Sequence, residues 1–146
     1  MGEGRRVIDA RNVGIYFLLL RLARARTIVV GRRVARFRAG WYVYVGSAQR
    51  GLRQRIARHL RRRKPKRWHI DYLRGSARVV AVRVLRGAGR RQEAVCARQW
   101  LASAAFVPMH KFGASDSPAA SHLLGFTRRA AVERHPLWRR ADGMTA

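Results

Sequence analysis

Residues 13–22 constrain the fold before anything else does: they form a run of aromatic and aliphatic side chains with neither acid nor proline in it. The strongly apolar part, 13–20, is too short to cross a bilayer, which takes about 20 residues. It reads as a buried β-strand. Two further β-rich runs follow, at 27–31 and at 40–46, the second carrying Trp41, Tyr42, Val43, Tyr44 and Val45. The short connections predict an antiparallel meander. Side chains alternate along a strand, so Tyr42 and Tyr44 share one face while Val43 and Val45 take the other.

Helical spacing begins at residue 52. Leu52, Ile56 and Leu60 recur every four residues and predict a helix over 52–61, with Arg55 and His59 on an adjacent stripe. A basic loop broken by Pro65 covers 61–67, and 68–73 reads as a short helical turn that packs Trp68, Ile70 and Leu73. Alternating valines over 78–85 predict a strand near the sheet centre. An alanine-rich helix over 91–105 is expected to turn Val95, Leu101 and Ala105 to the core, with Trp100 joining them. A Gly/Ser/Pro loop at 111–120 and a last strand at 121–126 follow, and 127 onward reads as a basic tail that frays. The expected organisation is an N-terminal lead (1–12), one domain (13–127) and a basic tail (128–146). The expected fold class is α/β of the α+β kind, a small central antiparallel or mixed sheet flanked by helices.

The charge sets the class of partner. Against 33 Lys+Arg stand 7 Asp+Glu, a net +26, and a compact fold tolerates such imbalance best beside a polyanion. Genomic GC bias would explain arginine over lysine, but not the shortage of acids. Nucleic acid is the expected partner, with an anionic membrane surface as the alternative. Cys96 is the single cysteine, which excludes an internal disulfide and fits a reducing cytoplasm. Glu3 and Asp9 sit where a signal peptide would need a clean basic start, so none is expected, and neither is a membrane anchor.

Hydrolysis of a phosphodiester needs an activated water, charge relief at the phosphorus, a protonated leaving oxygen and fixed geometry. A divalent cation can supply the first two. Glu93, an isolated acid among arginines, can hold one hard cation that keeps most of its waters; it can equally be a surface partner of Arg90, Arg91 or Arg98. Tyr16 and Tyr44 can serve as general base and water-positioning group if a cation depresses a phenol pKa, or they can simply pack. Arg55 can grip a phosphate with two hydrogen bonds, and His59 can relay or donate a proton. Arg53, Arg58, Arg61, Arg62, Arg63, Lys64, Lys66 and Arg67 are candidate phosphate contacts, with a second basic arm over 128–140. His69 and Asp71 point apart on a helical turn, which speaks against a shared metal, whereas in an extended segment they would share a face. Asp116 and His122 bracket the Ser/Pro loop and can reach the site. One cysteine and scattered histidines do not make a zinc ligand set, and no Walker-type glycine-rich string is present.

The order of these elements carries more than any one of them. A Gly14-Ile15-Tyr16 strand, a Tyr44-Val45-Gly46 strand, a helix with Arg55 and His59, a β-strand and a helix with Glu93 follow one another. This order resembles the GIY-YIG nuclease superfamily. The strings 40–48 (Gly-Trp-Tyr-Val-Tyr-Val-Gly-Ser-Ala), 68–73 (Trp-His-Ile-Asp-Tyr-Leu) and Ser121-His122-Leu123 resemble a little-characterised prokaryotic branch of it, found alone or joined to endonuclease III type DNA glycosylases. The resemblance implies a small antiparallel sheet flanked by helices and one-metal cleavage of nucleic-acid strands with Mg²⁺ or Mn²⁺. It implies roles for Tyr16, Tyr44, Arg55 and His59 in catalysis and for Glu93 in holding the metal. It further implies DNA ahead of RNA as the partner, a prokaryotic, nucleoid-associated setting in DNA repair or processing, and association with a DNA glycosylase. The gap between Tyr16 and Tyr44 exceeds that of typical superfamily members and holds the extra β run at 27–31. Two readings of function remain: a metal-dependent endonuclease, and a catalytically silent nucleic-acid-binding module on the same fold. A basic RNA- or ribosome-associated protein is a third.

Overall fold

The computed structural model describes residues 12–144. Nearly all of the expected N-terminal lead lies outside the described residues.

The apolar run forms β1 (Gly14–Leu22), and it is buried because it runs down the middle of the sheet. It pairs antiparallel with β4 (Gly40–Ala48) on one side and with β5 (Arg78–Arg86) on the other. β6 (Leu123–Phe126) extends the sheet beyond β4, and β7 (Asp142–Met144) extends it beyond β5. The resulting five-stranded antiparallel sheet, ordered β6-β4-β1-β5-β7, is flanked by helices on both faces.

No meander forms. β2 (Arg26–Val30) and β3 (Arg33–Phe37) make a separate two-stranded hairpin, so β1 pairs directly with β4. The hairpin closes on a two-residue turn with Gly31 at φ +61°, the left-handed position that primed hairpin turns require. The extra β run between the two tyrosines is therefore half of an inserted hairpin, and its second strand was not visible as one.

Strand alternation divides the core in two. Tyr16, Leu18, Leu20, Tyr42 and Tyr44 face one layer, built with the hairpin, α1 (Leu52–Leu60) and α2 (His69–Arg74). Ile15, Phe17, Leu19, Val43 and Val45 face the other, against α3 (Arg91–Ser103), α4 (Arg129–Glu133) and α5 (Pro136–Arg140). Trp100, fully buried, centres this second layer, stacked on His135 at 3.8 Å and edge-on to Phe17, Phe126 and Trp138.

Two expectations are corrected here. Over residues 128–144 there is no fraying tail: Val132, Leu137, Trp138 and Ala141 are buried against the sheet, and Arg83 Nη1 donates to the Trp138 carbonyl at 2.9 Å. On α3, Cys96, Ala97 and Trp100 face the core, whereas Val95 is 50% exposed and Ala105 lies exposed beyond the helix end. Small side chains let α3 sit close to the sheet, so its buried face is the less hydrophobic-looking one.

Candidate functional site

The two tyrosine strings meet through their glycine. Tyr16 pairs with Gly46 in the β1–β4 ladder, and its ring lies across the space a side chain at 46 would fill. A Cβ there would overlap the Tyr16 ring and hydroxyl. Gly14 is under similar pressure from the Leu85 carbonyl on β5. Gly46→Ala is expected to destabilise the fold by about 1–3 kcal/mol through overpacking, read as a lower urea midpoint at unchanged m-value.

The Tyr16 hydroxyl shares a 2.7 Å hydrogen bond with His59 Nε2, and the Tyr16 and Tyr44 rings lie 6.5 Å apart. His59 is buried at 1% exposure. Burial, together with the Lys64 charge, lowers its pKa to about 3. It is thus neutral near pH 7, and its Nε2 holds the Tyr16 phenol. Burial raises the pKa of Tyr16 well above that of a free phenol, with Tyr44 and Glu93 adding to the rise and Arg55 opposing it. Burial likewise raises Tyr44. Both phenols therefore carry their protons unless a further cation is present.

Ser47, at the end of β4, links the other two candidates. Its hydroxyl donates to Glu93 Oε2, and its carbonyl accepts from Arg55 Nη1 at 3.0 Å. Arg55 also stacks 5.0 Å over Trp68. Glu93 sits in the first turn of α3, where an acid complements the helix dipole. His122 Nδ1 lies 3.1 Å from its Oε1. Burial pushes the carboxyl up, but the bonds from His122 and Ser47 and the His122 and Arg90 charges outweigh it and hold the pKa below the usual range. Glu93 is ionised.

A cleft of about 810 Å³ opens beside this group, lined by Tyr44, Arg67, His69, Arg90, Glu93 and His122 among others. Asp116 also lines it, so both residues bracketing the Ser/Pro loop reach the site. Tyr16, Arg55 and His59 are not among the lining residues, although their charges and hydrogen bonds couple them to those that are. His69 turns towards the cleft and accepts from the Gly113 amide at 2.8 Å.

Asp71 turns the other way, as the helical turn predicts. Its carboxylate accepts both Arg58 guanidinium nitrogens at 3.0 Å and the amides of Arg67 and Trp68. These bonds overcome the cost of burial and bring its pKa down to about 2. It fastens α1 to α2 and has no part in the cleft. Arg58 and Lys64 leave the phosphate-contact set for the same reason. Arg58 is committed to Asp71, and the Lys64 side chain is 2% exposed, its Nζ donating to the carbonyls of Arg58 and His59. Arg53, Arg61, Arg62, Arg63, Lys66 and Arg67 are exposed.

The described residues hold no group of three or more His, Cys, Asp or Glu side chains placed to bind a metal ion. Glu93 suits a hard cation: its side chain is 21% exposed, and each carboxylate oxygen accepts one bond and retains a further lone pair.

The model of a family described as a domain of unknown function, DUF123, matches residues 15–138. The chain belongs to the DUF123 family. The matched span runs from the strand of Tyr16 to Trp138, so the family unit includes α4 and most of α5 and agrees with their burial in the core. No curated protein and no solved structure matches the chain. No helix among the described residues is long and apolar enough to cross a membrane.

Ser47, Arg90, Arg91 and Ser117 also stand around Glu93 and the cleft and were not among the expected site residues. Ser117 Oγ lies 2.9 Å from His122 Nε2, so Ser117, His122 and Glu93 form a chain along the cleft wall. A serine inside a β-string and arginines in a chain full of them give no local signal; only the fold gathers them.

Proposed function

We propose that this DUF123 domain is a metal-dependent endonuclease of the GIY-YIG kind, cutting nucleic-acid phosphodiester bonds, DNA ahead of RNA, in repair or processing. The observation that carries the reading is the convergence of Arg55 and Glu93 on Ser47, with Tyr44 lining the same cleft as Glu93. A phosphodiester needs a cationic grip, an acid for a divalent ion and a hydroxyl beside the attacking water. Those three groups come from three elements, α1, α3 and β4.

Glu93 would hold one Mg²⁺ or Mn²⁺, whose bound waters would complete its shell and whose charge would relieve the phosphate. Arg55 retains unused N–H donors for a phosphate oxygen after its bond to Ser47. Arg90 and Arg91 add positive charge at the rim. His122 and Ser47 fix the Glu93 carboxylate in place. Tyr44 positions the water from the cleft wall, while Tyr16, tied to His59, orders the phenol pair. A nucleoid setting in a prokaryote and work alongside a DNA glycosylase follow from the same reading.

A silent nucleic-acid-binding module is the second reading. It is favoured by one feature: both Glu93 oxygens already accept hydrogen bonds within the protein. The two part on metal dependence. Purified protein incubated with labelled duplex, abasic, flap and four-way-junction DNA, in Mn²⁺, Mg²⁺ or EDTA, is expected to cut only with metal. Salt-sensitive binding without cutting in every lane would refute the nuclease. Tyr44→Phe is expected to lower turnover by about 10²-fold while melting at the wild-type temperature, since the ring still packs. Cutting at the wild-type rate would make the phenol structural.

A further inference from the structure

The β2–β3 hairpin carries a surface that the cleft does not use. Val29 and Val34, 55% and 62% exposed, are the most exposed of the large hydrophobic side chains among the described residues. They stand directly opposite each other in the hairpin ladder. The inner face, with Ile28, Val30 and Phe37, is buried in the core, so Thr27, Val29, Val34 and Arg36 share the outer face. Residues 23–38 contain six arginines and no acid. Arg26, Arg32 and Arg36 are exposed, and none forms an ion pair among the described residues.

This ribbon adjoins the cleft. α2 packs on β2, and Arg33 Nη1 donates to the His110 carbonyl at 2.6 Å. The Arg33 charge also reaches His69, which lines the cleft. A duplex seated across the cleft has only to pass His69 to meet the hairpin.

We propose that the outer face of β2–β3 is a second nucleic-acid-contacting surface, which enters the major groove of B-form duplex DNA. The inference rests on the nucleic-acid reading above and extends it beyond the cleft. A two-stranded β-ribbon fits that groove, and an apolar pair at its face meets base edges and thymine methyls. Arg36, on that face, and Arg32, at the turn, then reach the flanking phosphates. Two valines ringed by arginines are far too little apolar area for a stable protein interface, which takes about 800 Å² from each partner. Duplex RNA is disfavoured, because its major groove is too deep and narrow to be read.

The test is fluorescence anisotropy with labelled duplex DNA and duplex RNA in EDTA, so that no cutting intervenes. Arg32→Gln/Arg36→Gln is compared with Arg78→Gln/Arg98→Gln, which removes equal charge from exposed positions outside the hairpin and both basic arms. The hairpin variant is expected to bind duplex DNA at least about tenfold more weakly than this control. Its log Kd against log salt slope should fall by about 2, as phosphate contacts are lost. Val29→Ser/Val34→Ser is expected to weaken duplex DNA about fourfold and leave duplex RNA unchanged. All variants alter exposed side chains and should melt at the wild-type temperature. Equal weakening by the two arginine pairs overturns the proposal, and so does an unchanged DNA affinity of the valine variant. The cleft is judged separately by metal-dependent cutting, so a protein that never cuts yet loses binding through the hairpin refutes the nuclease and supports the ribbon.

Discussion

Glu93→Gln is expected to abolish metal-dependent cleavage, lowering the rate by at least about 10²-fold, while duplex binding stays equal or tightens slightly. The amide keeps the size of the side chain and can still meet Ser47 and His122, so the fold has no reason to change. It loses the charge that a divalent ion needs and that repels a phosphate. The comparison uses wild type and variant over a Mn²⁺ titration, with binding measured in EDTA. Retained cutting would remove Glu93 from the metal role, and equal loss of binding and cutting would point to misfolding. The site offers little redundancy, since no cluster of three metal-ligating side chains exists among the described residues.

The second large effect is on stability and comes from His59. Its folded pKa of about 3 lies below the roughly 6.5 of a histidine in an unfolded chain. Between those values the unfolded chain binds the extra proton, so the contribution is complete above about pH 6.5 and fades as pH falls towards 3. The difference is worth up to roughly 5 kcal/mol. The sign follows from the surroundings: the imidazole is buried, and Lys64, Arg55 and Arg58 oppose its protonation more than Asp71 favours it. His69 and His135, whose pKa values burial also lowers, add to the same trend. The melting temperature is expected to fall steadily from pH 7 to pH 4, and to fall less in His59→Gln, which cannot titrate but can still bond Tyr16. A wild-type melting temperature that is flat over that range would contradict this account.

How much of the molecule was legible depended on whether a residue's partner lay nearby in sequence. The buried strand at 14–22, the α1 stripe and the short α2 turn are local patterns, and each forms close to where periodicity places it. The β1–β4 register is not local, because the hairpin inserts between the two strands and alternation alone does not say which residue of β4 faces Tyr16. The segment after 127 misleads for a different reason. α4 and α5 have five residues each, too few for a stripe to emerge among so many arginines. In the site, Tyr44 and Glu93 could be named from their strings and meet at the cleft. Their tether, Ser47, could not be, because its importance depends on where Glu93 and Arg55 come to rest.

The packing of Tyr16 against Gly46 has a consequence for how such a chain can change over time. The Tyr16 ring occupies the volume that any larger residue at 46 would claim. A larger residue at 46 becomes tolerable only after position 16 has shrunk, and shrinking 16 first gives up the bond to His59. Either order passes through an impaired intermediate, so the two ends of the motif, thirty residues apart, are inherited as one character.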